Sequence, residues 1–358
     1  MNRTIHLPGL NGLRAIAALS VLWGHTFQPD FGNWGVEGYS LPVVADGVTL
    51  FFVLSGFLIT YLLMNEQDQD KKVNIPKFYM RRVLRIWPIY FLYMAVALIA
   101  TSTWRDSNLW YYCFFMANIP FIVYAGIVPI VHYWSIGVEE QFYLFWPWMV
   151  KYTRGNNKRL LTVAFVVCVI WLTCKWGIYL VYGTTTAYRF FAVTRFDCMM
   201  LGAMGAVLYF EGNRWCLRVV RNRFLGLVCF LLLLVSQLWA QYVPAPLRPQ
   251  IIAVLAFVCI LNQMEHPVIN LENKICDFVG KISYGIYVIH PLLVIILSGW
   301  YREANIQLPR TVSVILIYSL VTAVTIVVAW LSYRFYETPF LKLKNKFAVV
   351  QSSNTMTT

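Results

Sequence analysis

Arg14 and His25 stand eleven residues apart in the apolar stretch LNGLRAIAALSVLWGH, residues 10–25. At about 100° per residue, eleven steps make three helical turns plus about 20°, so both side chains share a face about 16 Å apart along the axis. Charge inside a membrane helix is expensive and marks a functional position by default. The bland alternative is an arginine snorkelling to headgroups and a histidine bonding a neighbouring helix. The stretch HYWSIGVEEQFYLFWP, residues 132–147, supplies Ser135, Glu139 and Gln141 at a depth comparable with His25. A carboxylate there could hold an imidazole as an acid–base dyad, whereas Glu140 points about 100° away from it. In FYMRRVLRIWPIY, residues 78–90, Arg82 and Arg85 lie at i and i+3, and guanidinium forks of that kind suit phosphate oxygens.

Further polar groups fall within apolar runs. Ser55 and Gly56 in FFVLSGFLIT either let two helices pack closely or leave a slot for a thin chain. Arg195 and Asp197 in TRFDCMMLGAMGA read as a structural pair, with substrate contact as the alternative. His290 precedes Pro291, and a proline-disturbed helix exposes carbonyls that a histidine can bond.

The elements that must position these residues are membrane helices. Hydrophobic residues make up 59% of the chain and charged residues 13%, too little polar surface for a soluble fold of this length. Ten apolar spans are expected, at 12–28, 46–64, 86–104, 132–150, 160–182, 190–210, 224–242, 250–264, 284–300 and 312–333. Residues 109–124, interrupted by Asn118 and Pro120, are expected to be re-entrant or interfacial. With both termini cytoplasmic, 21 Lys and Arg face the cytoplasm and 5 face outward, a positive-inside pattern that is lost if 109–124 crosses. The net charge of +13 therefore reads as topology and contact with anionic lipid, and no nucleic-acid partner is expected. The eight cysteines show no metal spacing. No cleaved signal peptide is expected, since Arg14 sits inside the first span. Residues 1–340 are expected to form one transmembrane domain and 341–358 a disordered cytoplasmic tail.

Seven stretches in order, LNGLRAIAALSVLWGH, DGVTLFFVLSGFLIT, RRVLRIWPIY, HYWSIGVEEQFYLFWP, RFDCMMLGAMGA, ISYGIYVIHP and YRFYETPF, resemble the acyltransferase-3 family of integral-membrane acyltransferases that modify bacterial surface glycans. Asn11 stands where that family usually has Asp. The resemblance implies a catalytic His25 supported by Glu139. It also implies an acyl-CoA donor served by Arg14, Arg82, Arg85 and the Ser55–Gly56–Phe57 turn. Ser135, Gln141, Arg195, Asp197 and His290 are expected to support the site or touch substrate, and no metal is expected. The acyl group is expected to be acetyl. The acceptor hydroxyl is expected on O-antigen, capsule, peptidoglycan or a lipid-linked glycan, with the protein in a bacterial inner membrane. Some relatives add an extra span and an esterase-like domain, so a second transfer step is expected to use a separate protein. The competing reading is a proton-coupled transporter or flippase, which the lack of an internal repeat weakens; the chain has no P-loop.

Overall fold

The structure, a computed structural model, describes residues 4–38, 46–70, 72–265, 267–348 and 351–352. Arg3 and Lys71 of the expected cytoplasmic charge, and tail residues 349, 350 and 353–358, lie outside them. Where the sequence turns apolar it is helical, because a backbone in hydrocarbon must satisfy its hydrogen bonds within its own segment. Helix α1 (Leu10–Thr26) leaves a left-handed Gly9; α2 (Gly47–Asp70) and α3 (Ile75–Ala100) follow, the latter capped by the Asn74 side chain. Two five-residue helices, α4 (Leu109–Cys113) and α5 (Asn118–Ile122), precede α6 (Tyr133–Thr153) and α7 (Asn157–Tyr182). Next come α8 (Thr186–Thr194), α9 (Phe196–Phe210), α10 (Arg214–Val220), α11 (Arg223–Leu234) and α12 (Ser236–Trp239). The series ends with α13 (Arg248–Glu265), α14 (Lys274–Glu303), α15 (Arg310–Leu331) and α16 (Thr338–Asn345). A π-helical turn, Ser332–Glu337, joins the last two, and a two-residue parallel strand pair links Thr4–Ile5 with Gln351–Ser352.

Among the described residues, six stretches are long and apolar enough to cross a membrane: α2, α3, α7, α8 with α9, α14, and α15 through α16. The pair α11 and α12, continued to Tyr242, passes the same test but bends by 68°. Helices also form at the other three expected spans. However, α1 has only 17 residues, the polar ends of α13 dilute it, and α6 carries Ser135, Glu139, Glu140 and Gln141. Length and composition therefore do not establish ten crossings. Residues 109–124 do not form one long helix. Gln141 clamps them to α6 by donating to the Phe115 carbonyl (3.1 Å) and to Asn118 Oδ1 (2.8 Å). Gly137 leaves room there, since a Cβ at that position would sit 2.8 Å from the Phe115 oxygen. Gln141 thus acts as a helix clamp and lines none of the three cavities described below.

Two close pairings organise the bundle, α2 against α9 and α1 against α14. In the first, a Cβ on Gly56 would lie 2.0 Å from the Met199 carbonyl oxygen, and one on Gly202 2.1 Å from that of Val53. Gly56 is therefore filled by the backbone of α9 and leaves no slot for a ligand. Phe57 is buried on the same side and stacks on Tyr61. Gly56 and Phe57 thus do not line the middle cavity, and only Ser55 of that turn does. Helix α7 packs on α9 along one edge, while Phe165, Val166, Val169 and Ile170 are exposed and offer a face to lipid. The expected domain boundary at 340/341 falls inside α16, where Leu341 and Lys344 are buried. The described part of the tail is thus ordered, because an apolar face of α16 packs along α3.

Candidate active site

Three cavities stack through the bundle. One is lined by Arg14, Arg85, Lys281, Glu337 and Lys344. Arg14 and Arg85 continue into a narrow middle cavity of about 90 Å³, with Arg82, Ser55, Glu139 and Tyr143 on its polar wall and Val48, Phe51, Phe52, Leu58 and Ile86 on its apolar one. Ser135 and Tyr287 are also on its wall. Val48 is shared with a third cavity of about 640 Å³, which contains His25, His132, Asp46 and Arg195. Between the last two cavities the Ser135 hydroxyl bonds Tyr287 Oη, which donates to the His132 carbonyl at 2.9 Å.

His25 is half-buried at the end of α1, packed on the Phe31 ring at 4.9 Å. Its Nδ1 lies 2.8 Å from Nε2 of His290, which is fully buried on α14. His290 Nδ1 lies 3.1 Å from the Ile286 carbonyl. A carbonyl only accepts, so His290 carries its proton on Nδ1 and, when neutral, presents a lone pair at Nε2. His25 Nδ1 must then donate, which leaves the His25 Nε2 lone pair free to take a proton. The disturbed turn around Pro291, which lacks an N–H, anchors a third imidazole. The Leu292 N–H donates to Tyr93 Oη (3.1 Å), and the Val288 carbonyl accepts from His132 Nε2 (3.1 Å). By the same logic His132 Nδ1 is a lone pair; it is buried and has no partner.

Glu139 lies elsewhere than expected. Its oxygens accept from Ser55 Oγ (2.5 Å) and Tyr143 Oη (3.4 Å) on the wall of the middle cavity. The group orienting His25 is therefore His290 and not Glu139, because α1 packs closely on α14. Glu139 instead shares its cavity with Arg14, Arg82 and Arg85. Arg82 lies over the rings of Phe78 and Tyr143, 5.5 Å from each centroid, which aims its fork without neutralising it. Arg14 makes one long bond, 3.4 Å to Asn11 Oδ1.

Arg195 and Asp197 do not pair with each other. Arg195, held at φ 43° between α8 and α9, bonds Asp46 and Thr49 (2.7 Å) on the wall of the large cavity. Asp197 pairs with Lys175 of α7 at 3.4 Å, each side chain 2% exposed, and accepts from Gln250. This second pair is structural. Asp197→Ala should leave a buried ammonium alone and destabilise the protein by about 3–5 kcal/mol, read as a lower melting temperature in detergent. A wild-type melting temperature would show that Lys175 finds another partner.

Sequence reasoning did not single out His132, Asp46, Tyr143, Tyr287 or Lys344. Part of the signal was there, since Ser135, Glu139 and Tyr143 recur at i, i+4 and i+8 and so form one stripe of α6. Nothing local could have paired His25 with a histidine 265 residues away.

The architecture is that of a multi-pass membrane protein with a histidine pair at a roomy cavity next to a basic one. The acyltransferase domain of the acyltransferase-3 family matches residues 7–334, and the chain belongs to that family. The O-acetyltransferase OatA of Staphylococcus aureus strain NCTC 8325 / PS 47 is 26% identical over 374 residues, covering 94% of this chain and 57% of that protein. A provisionally named O-acetyltransferase of S. aureus strain COL is 26% identical over 366 residues, covering 94% of this chain and 58% of its own. The chain thus spans under three fifths of the length of these curated relatives. No solved structure matches it.

Proposed function

We propose that the protein is a membrane O-acetyltransferase that moves an acetyl group from acetyl-CoA, bound at the basic end, to a glycan hydroxyl at the histidine end. The observation that carries this reading is the oriented base. His25 has its Nδ1 proton committed to His290 and its Nε2 free, in a cavity that shares Val48 with the narrow one holding three arginines. The cavity sizes agree with the two substrates. About 90 Å³ with an apolar wall admits only the slim acetyl-thioester end of the donor, while about 640 Å³ beside His25 takes a sugar. In the orientation set by the loop charges, the basic end is cytoplasmic, so the nucleotide never enters the bilayer.

His25 Nε2 takes the proton of the acceptor hydroxyl as its oxygen attacks the thioester carbonyl. A C–O bond forms and the C–S bond breaks. The departing thiolate then recovers the proton from the imidazolium. Ser55 and Tyr143 hold Glu139 as a hydrogen-bonded carboxylate in the passage, where it is placed to order the amide groups of the donor arm. The same Nε2 lone pair could instead accept the acetyl group before passing it on; acetyl label retained on the protein without acceptor would select that route.

Membranes carrying the protein should transfer label from radiolabelled acetyl-CoA to glycan, and membranes without it should not. Arg82→Ala should raise KM for acetyl-CoA about tenfold with kcat nearly unchanged, because a phosphate contact binds ground and transition states alike. An unchanged KM would remove Arg82 from the donor site.

A further inference from the structure

The cavity farthest from His25 holds four cations, and α16 supplies one of them. Lys344 lines it together with Arg14, Arg85 and Lys281. Lys344 is 8% exposed, a costly place for an ammonium without a counter-charge. None of the six ion pairs among the described residues includes Arg14, Arg85 or Lys344. The one carboxylate on the cavity wall, Glu337, accepts from the Ser332 hydroxyl at 3.1 Å. The position of α16 is built in. Arg81, locked to Glu66 at 2.8 Å, donates to the Phe347 carbonyl at 3.0 Å, and Gln351–Ser352 pair with Thr4–Ile5. Burying a lysine among arginines stabilises nothing by itself, so the arrangement calls for an anion.

We infer that Lys344 completes a phosphate cradle at the end of the donor site, where its ammonium and the guanidinium groups of Arg14 and Arg85 share the oxyanions of the donor's nucleotide. The inference rests on the acetyl-CoA reading above and adds to it a residue of α16, past the π-helical turn. The middle cavity, at about 90 Å³, is too thin for a nucleotide, and the Lys344 cavity, at about 30 Å³, has room for phosphate oxygens and not for a nucleoside. Three cations on one cluster suit an anion of more than one charge. An anionic lipid headgroup offers the same chemistry, and the experiment separates the two sources.

Binding of coenzyme A to purified, detergent-solubilised full-length protein should weaken about tenfold in Lys344→Gln, the effect of losing one charge-assisted contact, and stay within about twofold in Lys344→Arg. Pantetheine, which has no phosphate, should bind both proteins equally. Equal coenzyme A affinity in wild type and Lys344→Gln would overturn the inference while leaving the donor reading intact. No coenzyme A binding by the wild type would overturn the donor reading itself. A second measurement needs no substitution. Coenzyme A should protect Lys344 of the wild type from reductive methylation, and pantetheine should not. Failure of that protection overturns the cradle even if Lys344→Gln does not fold. Protection by phosphatidylglycerol micelles and not by coenzyme A would assign the cradle to lipid and also overturn it.

Discussion

His25→Ala should lower acetyl transfer by a factor of about 10²–10⁴, the contribution of a positioned general base, and leave acetyl-CoA binding within about twofold of wild type. The split follows from the geometry. His25 lies on the large cavity, and the cations lie at the other end of the passage, so removing the imidazole leaves the donor's charged head untouched. The truncation also strips His290 Nε2 of its donor in a fully buried place. His25→Gln, which retains a donor for that nitrogen but no base, is the better control for folding. Both variants should transfer equally poorly. Wild-type activity in either, at matched expression, would show that α1 keeps its histidine for structure and that the base lies elsewhere.

The second large effect is on folding. Gly56→Val places a Cβ within 2.0 Å of the Met199 carbonyl oxygen and 3.0 Å of the Met199 Cα, distances that only a backbone shift can relieve. Because α9 meets α2 through Gly202 in the reciprocal contact, neither helix has a smaller residue to yield. Gly56→Val should therefore leave little folded protein, read as loss of the monodisperse peak on size-exclusion chromatography of the extracted protein, with the overpacking cost of at least about 1–3 kcal/mol as a floor. Gly177→Val, on α7 where nothing approaches a Cβ, should extract normally. A normal peak for Gly56→Val would mean that α2 and α9 are not as close as described.

What the sequence could reveal was set by what is local. Hydropathy located the helices, because each buries its backbone polarity within itself and needs no partner to do so. The break at 109–124 was visible in Asn118 and Pro120, and the Arg82–Arg85 face in a three-residue spacing. Pairings between helices were not visible. In the sequence Glu139 and His290 are both polar groups inside apolar runs, and only the packing of α1 on α14 chooses between them. Gly56 presented the same ambiguity, since a small residue serves a ligand slot and a tight crossing equally well. The tail misled for another reason: α16 is polar in composition, and its order comes from tertiary anchors at Arg81 and the strand pair, which composition does not register.

The hydrogen bonds that join Ser135, Tyr287 and the His132 carbonyl have a consequence for turnover. Ser135 and Tyr287 line the middle cavity and His132 the large one, so in the proposed mechanism the thioester meets the acceptor hydroxyl only once these bonds part. Each transfer then breaks and remakes them.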